Sequence, residues 1–261
     1  MIREKDIKAA LIDWLFDKGQ TEDAVIINEM VVANWSRRAD IAIANGRLYA
    51  FEIKSSFDNL KRLPGQVDLF SSYFDKVTVV AASKFVPKIL ETYPTEIGVL
   101  EVIDQSGSAK IRQARAGRLN ETRDPLVLSD FLTKAELSKL LRSEGIAAPP
   151  NSTRRALVEL IYRLPSSSIK KYVLSKIKEK YSETSTSFSI ARKTAGTLDS
   201  IHLLSRKEIA IRAAQKLADQ HTGTSFVPNP NARSLNLGGL SLATEEIADL
   251  PSAVICRRKR S

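Results

Sequence analysis

Long apolar runs are missing from this sequence. No stretch of eighteen apolar residues occurs, so no segment reads as a membrane span. The N-terminus, Met1-Ile2-Arg3-Glu4-Lys5-Asp6, is charged and leads straight into a helical pattern. A secretory signal would need an apolar core and a small-residue cleavage site, and neither is there. Cysteine is almost absent. The sole one, Cys256, excludes an intrachain disulfide or a cysteine zinc site and fits a reducing, cytoplasmic setting. No internal repeat is visible.

What is present is an ordinary globular composition, 43% hydrophobic and 27% charged over 261 residues, enough for one large domain or two small ones. The net charge of +10 is unevenly spread. Residues 1–123 hold 18 basic and 17 acidic side chains, whereas 124–261 hold 22 and 13. An excess confined to the C-terminal half points to a polyanion partner there, or to a solubilising surface.

Periodicity gives the element order. Residues 3–18 carry Ile7, Leu11, Trp14 and Leu15 at helical spacing, with Gly19 as a stop. Residues 24–33, 39–44 and 47–54 read as strands, the last two around Asn45-Gly46, a hairpin signal. A helix over 58–74 follows, with Pro64 bending it or opening a fresh first turn. Residues 76–82 form a buried-type strand, 86–92 a short helix and 97–103 another strand. The expected fold is α/β, a mixed sheet with helices on both faces. Residues 104–124 read as a hairpin or linker, and 126–182 as a small all-helical module. Residues 183–200 read as a Ser/Thr-rich linker, 205–219 as one more helix, and 221–261 as a largely mobile basic tail. The domain boundaries expected are 1–123, 124–182 and 183–261.

The stretch Arg38-Ala39-Asp40 through Glu52-Ile53-Lys54 carries the chemistry. Alternation puts Glu52 and Lys54 on one face of their strand. Asp40 joins them only if the hairpin loop is odd in length. A two-residue turn at Asn45-Gly46 would face Asp40 away from Glu52. A three-residue loop, Ala44-Asn45-Gly46, would pair 43 with 47, set position 40 across from 50, and make Glu52 its diagonal neighbour. Only this parity, or an equivalent bulge, gathers Ile41, Ile43, Tyr49, Phe51 and Ile53 on one bulky face and leaves Asp40, Ala42, Ala44, Ala50, Glu52 and Lys54 on the other. Two carboxylates and a lysine over small residues suit a hard cation such as Mg²⁺ or Mn²⁺. Such an ion polarises a phosphoryl oxygen and acidifies a bound water. The bland reading is a buried ion pair between Lys54 and one acid, an expensive arrangement to keep without a task.

These residues, in this element order, resemble the PD-(D/E)XK nuclease superfamily with its restriction-endonuclease-like fold. The likeness covers about residues 3–103. Arg38-Ala-Asp40, Phe51-Glu52-Ile53-Lys54-Ser55, Leu63-Pro64-Gly65-Gln66 and Phe74-Asp75-Lys76-Val77-Thr78-Val79-Val80 are similar to a group of small bacterial proteins regarded as uncharacterised nucleases. The resemblance implies Asp40 and Glu52 as metal ligands and Lys54 as the catalytic lysine. Ala39 stands where the family's proline usually precedes the aspartate, a position that varies in the superfamily.

Accessory positions have two readings each. Glu29, a charge within an apolar strand, is a further metal ligand or base, or a carboxylate paired with Arg37 or Arg38. Gln66, with Phe70 or Tyr73, resembles the Q-x-x-x-[Y/F] feature in which the glutamine lines the site; otherwise it is a solvated helix residue. Lys61 and Arg62 are candidate phosphate contacts, although exposed helical charges are usually non-specific.

Residues 131–164 pair a leucine-bearing helix (Leu132, Leu137, Leu140, Leu141) with a second one (Leu157, Leu160, Ile161) across Gly145-Ile146-Ala-Ala-Pro-Pro, the second helix capped by Asn151 or Ser152. The pattern resembles a SAP-like module, which implies DNA binding. Its spacing before Arg154 departs from the usual one. Arg154, Arg155, Lys170, Lys171, Lys176, Lys178 and Lys180 are candidate phosphate contacts. The alternative is a helical hairpin that packs on the core or mediates dimerisation.

Three functions are therefore open: a Mg²⁺- or Mn²⁺-dependent nuclease acting on DNA, with RNA as an alternative substrate; a non-cleaving nucleic-acid-binding protein on a nuclease-like fold; and an interaction module docking on an acidic protein. A homodimer would suit a double-strand cut. No base-reading motif of the zinc-finger or homeodomain kind occurs.

Overall fold

The computed structural model describes residues 2–33 and 36–205. All of the expected helix at 205–219 but its first residue, the tail with Arg257-Arg258-Lys259-Arg260 and Cys256 lie outside the described residues.

Helix α1 (Glu4–Asp17) leads into strands β1 (Val25–Val32), β2 (Arg37–Ala44) and β3 (Leu48–Lys54). Helix α2 (Leu63–Tyr73), strand β4 (Lys76–Ala82), helix α3 (Val86–Thr92) and the hairpin β5 (Gly98–Gln105) and β6 (Ser108–Arg115) follow. Pro64 sits in the first turn of α2, where its missing N–H costs nothing. The helix therefore begins five residues later than its apolar pattern suggests, and 58–62 form a loop instead.

The six strands lie in chain order, β1-β2-β3-β4-β5-β6. Pairing is antiparallel through β1, β2 and β3, parallel through β3, β4 and β5, and antiparallel again at β6. The fold is α/β, a mixed sheet with helices on both faces, as its element order predicts. One face packs Ile26, Ile41, Ile43, Phe51, Ile53 and Val80 against Ile7, Leu11 and Leu15 of α1. The other packs Ala42, Ala44, Ala50, Val79 and Ala81 against α2 and the later helices. Small alanines on that side let α2 approach the sheet closely.

The later helices are α4 (Pro125–Ser129), α5 (Lys134–Ser143), α6 (Arg154–Ile161), α7 (Ser166–Ala195) and α8 (Thr197–Ser200). Thr133 caps α5 in a reciprocal box with Glu136. Thr153, rather than Asn151 or Ser152, caps α6. Leu137, Leu140, Leu141, Leu157 and Ile161 belong to the same apolar cluster as Ala42, Ala50 and Val79. The boundary drawn at 123/124 thus falls within a shared core.

The linker expected at 183–200 is overturned: residues 183–195 continue α7, and Phe188 is wholly buried against the opposite sheet face. Hydroxyl-rich sequence reads as linker, but here the hydroxyls have work within the fold. The Ser185 hydroxyl accepts from the Ile26 N–H at 3.0 Å, closing the exposed edge of β1. Among the described residues no helix is long and apolar enough to cross a membrane.

Candidate active site

The β2–β3 hairpin sets the geometry. Ala44 pairs with Leu48, Ala42 with Ala50 and Ile41 with Phe51. The loop has three residues, as the face pattern requires, but they are Asn45-Gly46-Arg47 rather than Ala44-Asn45-Gly46. Gly46 takes a φ of +94° at the turn. The one-residue change keeps the parity and moves position 40 from opposite 50 to opposite 52. Asp40 is therefore directly across from Glu52.

The paired ladder ends at Ile41 and Phe51. There the Asp40 side chain takes over, its Oδ2 accepting from the Ile53 N–H at 2.7 Å. The Glu52 side chain turns towards Lys54 and the first turn of α2. Glu52 Oε1 accepts from Lys54 Nζ at 2.7 Å and from Gln66 Nε2 at 2.5 Å. Lys54 Nζ also donates to Gln66 Oε1 at 3.0 Å. A closed triangle of Glu52, Lys54 and Gln66 results. Pro64 matters here, since it starts α2 just where Gln66 can reach back to the sheet. Gln66 thus lines the site rather than facing solvent.

Glu52 Oε2 is buried and has no hydrogen-bond partner. An orphaned carboxylate oxygen is costly in a low-dielectric setting. Burial, and then the neighbouring Asp40 charge, push the Glu52 carboxyl from 4.5 up to about 7, against the pull of Lys54. Burial raises Asp40 as well, opposed by its hydrogen bond from Ile53 and by the Lys8 charge. Two close carboxylates, both hard to ionise and one with an unused oxygen, fit a divalent cation that would neutralise them. Among the described residues no group of three or more His, Cys, Asp or Glu side chains is arranged to hold a metal. Any ion here would rest on Asp40 and Glu52 and complete its shell with water, an arrangement Mg²⁺ tolerates.

Glu29 is not brought into this pair. It sits in β1 with a φ of +59°, which turns its side chain out of the strand alternation. Its carboxylate meets Arg38 at 3.0 Å and Lys8 at 3.5 Å, the paired-carboxylate reading. Sequence reasoning missed two neighbours on α1. Lys8 is buried and binds Glu4 at 3.0 Å as well as Glu29, and both Lys8 and Glu4 act electrostatically on Asp40. The sequence signal was an ordinary i,i+4 pair, and only the packing of α1 on the sheet gives it a role.

Of the candidate phosphate contacts, Lys61 and Arg62 are exposed in the loop before α2, and Arg37 and Arg38 are exposed at the start of β2. Lys171 is exposed, and Arg155 pairs with Glu159 at 3.2 Å. Two expectations need correction. Arg154 donates to the carbonyls of Leu132 and Ser129, at 2.6 and 2.8 Å, and so ties α6 to the end of α4. Lys170 pairs with buried Asp75 at 2.5 Å. Both cations are used inside the fold. Lys176 and Lys178 are paired too, with Glu179 and Asp23. Phe70 is buried edge-to-face on Phe74, and the Tyr73 hydroxyl donates to Asp130 at 2.6 Å, so neither joins Gln66 at the triangle.

The shifted carboxyl makes stability pH-dependent in a stated direction. Glu52 holds its proton more tightly in the folded chain than in the unfolded one. Its contribution is fully present below about pH 4.5 and is lost as pH rises through about 7. The span corresponds to at most about 3 kcal/mol. In EDTA, thermal unfolding between pH 5 and 8.5 should show the native chain losing stability relative to Glu52→Gln as pH rises. Added Mg²⁺ should reverse the trend, since it favours the ionised form. Parallel curves for the two proteins would refute the burial argument.

Residues 1–205 match the family described as Bacteriophage P4 protein cII. "Protein cII" of Enterobacteria phage P4 is 45% identical over 188 residues, which is 72% of this chain and 71% of that protein. A solved structure of a protein of unknown function from Silicibacter pomeroyi is similar over 58% of this chain and 99% of its own, at 16% identity and a TM-score of 0.36, too slight a likeness to carry an argument. With the family matched across more than three quarters of its length, this chain belongs to the bacteriophage P4 cII protein family.

Proposed function

We propose that the chain is a divalent-metal-dependent nuclease that hydrolyses phosphodiester bonds, with DNA as the preferred substrate, at Asp40, Glu52 and Lys54. The observation that carries this reading is the buried Glu52 carboxylate. One oxygen is fixed by Lys54 and Gln66 and the other is unpartnered, beside Asp40. A structural ion pair would satisfy both oxygens. The resemblance of the strand motif to PD-(D/E)XK nucleases supports the same reading.

Asp40 and Glu52 would hold Mg²⁺ or Mn²⁺. The bound ion would supply Lewis acidity towards a phosphoryl oxygen and lower the pKa of a water. The chain's own residues do the rest. Gln66 fixes Glu52 and Lys54 relative to each other, so neither side chain must reorganise on substrate binding. Lys54 spends two of its three donors on Glu52 and Gln66 and directs the third to a phosphoryl oxygen or the attacking water. Of the candidate phosphate contacts, Arg37, Lys61, Arg62 and Lys171 are exposed and outside the ion pairs described above, and would contact the substrate backbone; Arg38 is exposed but held by Glu29.

The test is incubation of the full chain with supercoiled, linear and single-stranded DNA and with RNA, in Mg²⁺, Mn²⁺ or EDTA. Cutting only with metal is the expected result. Binding without cutting on every substrate and metal would move the assignment to a non-cleaving nucleic-acid-binding protein.

A further inference from the structure

The turn that follows Lys54 holds an aromatic ring out in water. Phe57 is 63% exposed, three residues past the catalytic lysine. Isolated exposed apolar side chains are ordinary; this one differs in how it is held. The turn Ser55–Asp58 is closed by the Asp58 N–H to the Ser55 carbonyl at 3.2 Å. The Ser55 N–H and hydroxyl both donate to Asp58 Oδ2, at 2.8 and 2.6 Å. The Phe57 N–H donates to the Ser55 hydroxyl at 3.3 Å. From outside the turn, Lys84 Nζ donates to the Ser56 carbonyl at 2.6 Å. A loop tip with this many restraints pays little entropy to present its ring.

Three cations lie on or near this loop, and its one carboxylate, Asp58, is engaged by Ser55 within the turn. Lys84, from the segment after β4, donates to this turn and lies over the Phe85 ring at 4.7 Å, and exposed Lys61 and Arg62 follow in the same loop. A rigid exposed ring among cations, without a base-reading motif, is the chemistry of single-stranded nucleic-acid binding: cations follow the phosphates while a base stacks on the ring. In an intact duplex the base faces are already covered by their neighbours. A ring at this position therefore rewards an unpaired base.

We propose that Phe57 is a base-stacking residue beside the Asp40–Glu52–Lys54 centre, and that the strand bound there is unpaired: single-stranded DNA or RNA, a frayed end or a flap. The inference rests on the nuclease reading of that centre and adds the kind of strand it takes.

Binding is measured in EDTA by fluorescence anisotropy, with the full chain and a labelled single strand, a blunt duplex of the same sequence, and that duplex with a single-stranded flap. Phe57→Ala should weaken single-strand and flap binding about tenfold, within the usual worth of one stacked base, and move duplex binding less than twofold. The salt dependence should keep its slope, because no charge is lost. Phe57→Trp should retain affinity, and its added fluorescence should be quenched by the single strand. Unchanged single-strand binding in Phe57→Ala, or equal losses on strand and duplex, would overturn the stacking role and leave the nuclease reading standing. If the native chain bound no nucleic acid of any form here and cut none with Mg²⁺ or Mn²⁺ present, both would fall.

Discussion

Glu52→Gln and Lys54→Ala should each lower metal-dependent phosphodiester cleavage by about a thousandfold or more, the scale seen when a single transition-state-stabilising group is removed from a preorganised site. The two substitutions act for different reasons. Glu52→Gln keeps an oxygen for Lys54 and Gln66 but removes the charge beside the unpartnered position. It should abolish the calorimetric Mg²⁺ signal together with activity. Lys54→Ala leaves both carboxylates in place. Metal binding should then persist, weakened because Glu52 loses its cation and is harder to ionise, while cleavage is lost. Combining the two should cost little more than either alone, since residues that act as a unit are not additive. Cleavage retained in both variants would remove the centre from the mechanism. Loss of the metal signal in Lys54→Ala alone would recast the lysine as a structural partner of the carboxylates.

Lys170→Ala should be the most destabilising change among the basic residues first read as phosphate contacts. Asp75 is 1% exposed. Its Oδ1 accepts from Lys170 Nζ at 2.5 Å and from the Thr122 N–H at 3.0 Å, and its Oδ2 from the Leu48 N–H at 2.8 Å. Its backbone also bonds Leu48 and Asn120. This one carboxylate therefore fastens the start of β3, the segment after β6 and helix α7. Removing the lysine strands a buried charge, at a cost of about 3–5 kcal/mol. The two remaining N–H donors hold the loss towards the lower end. For a chain of this size the melting temperature should fall by roughly 6–15 °C. Adding Asp75→Asn to Lys170→Ala should recover part of the loss, because the stranded charge disappears with it. Lys171→Ala, one residue along and exposed, is the control. It should leave stability unchanged and reduce only the salt-dependent part of nucleic-acid binding. Equal stability of Lys170→Ala and the native chain would return Lys170 to the surface.

The hairpin shows where local information ends. Alternation of large and small side chains along β2 and β3 decides that Asp40, Glu52 and Lys54 share a face, because a slip of one residue would bury the wrong set. It does not choose between loops 44–46 and 45–47, since either preserves the alternation. That choice falls to tertiary contacts, among them the Asn45 side-chain amide donating to the Gln20 carbonyl at 3.1 Å. The reach of Gln66 was half legible: Pro64 marked a new first turn, but the bond to Glu52 spans fourteen positions.

The sequence by itself determined the order of elements up to the strand at 97–103, the two faces of the sheet and the grouping of Asp40, Glu52 and Lys54, because strand and helix periods are local and burial acts on every turn of them. Only the tertiary structure decided which charges are spent inside the molecule. Glu29 reads as a ligand or as a partner of Arg37 or Arg38 until its φ turns it to Arg38 and Lys8. Lys170 reads as a surface cation until Asp75, 95 positions away, comes to meet it. Residues 183–195 read as linker until their hydroxyls and Phe188 find β1 and the core. A charge or hydroxyl carries the same local signal in either role. Its role is fixed by the partner that desolvates it, and that partner lies far away along the chain.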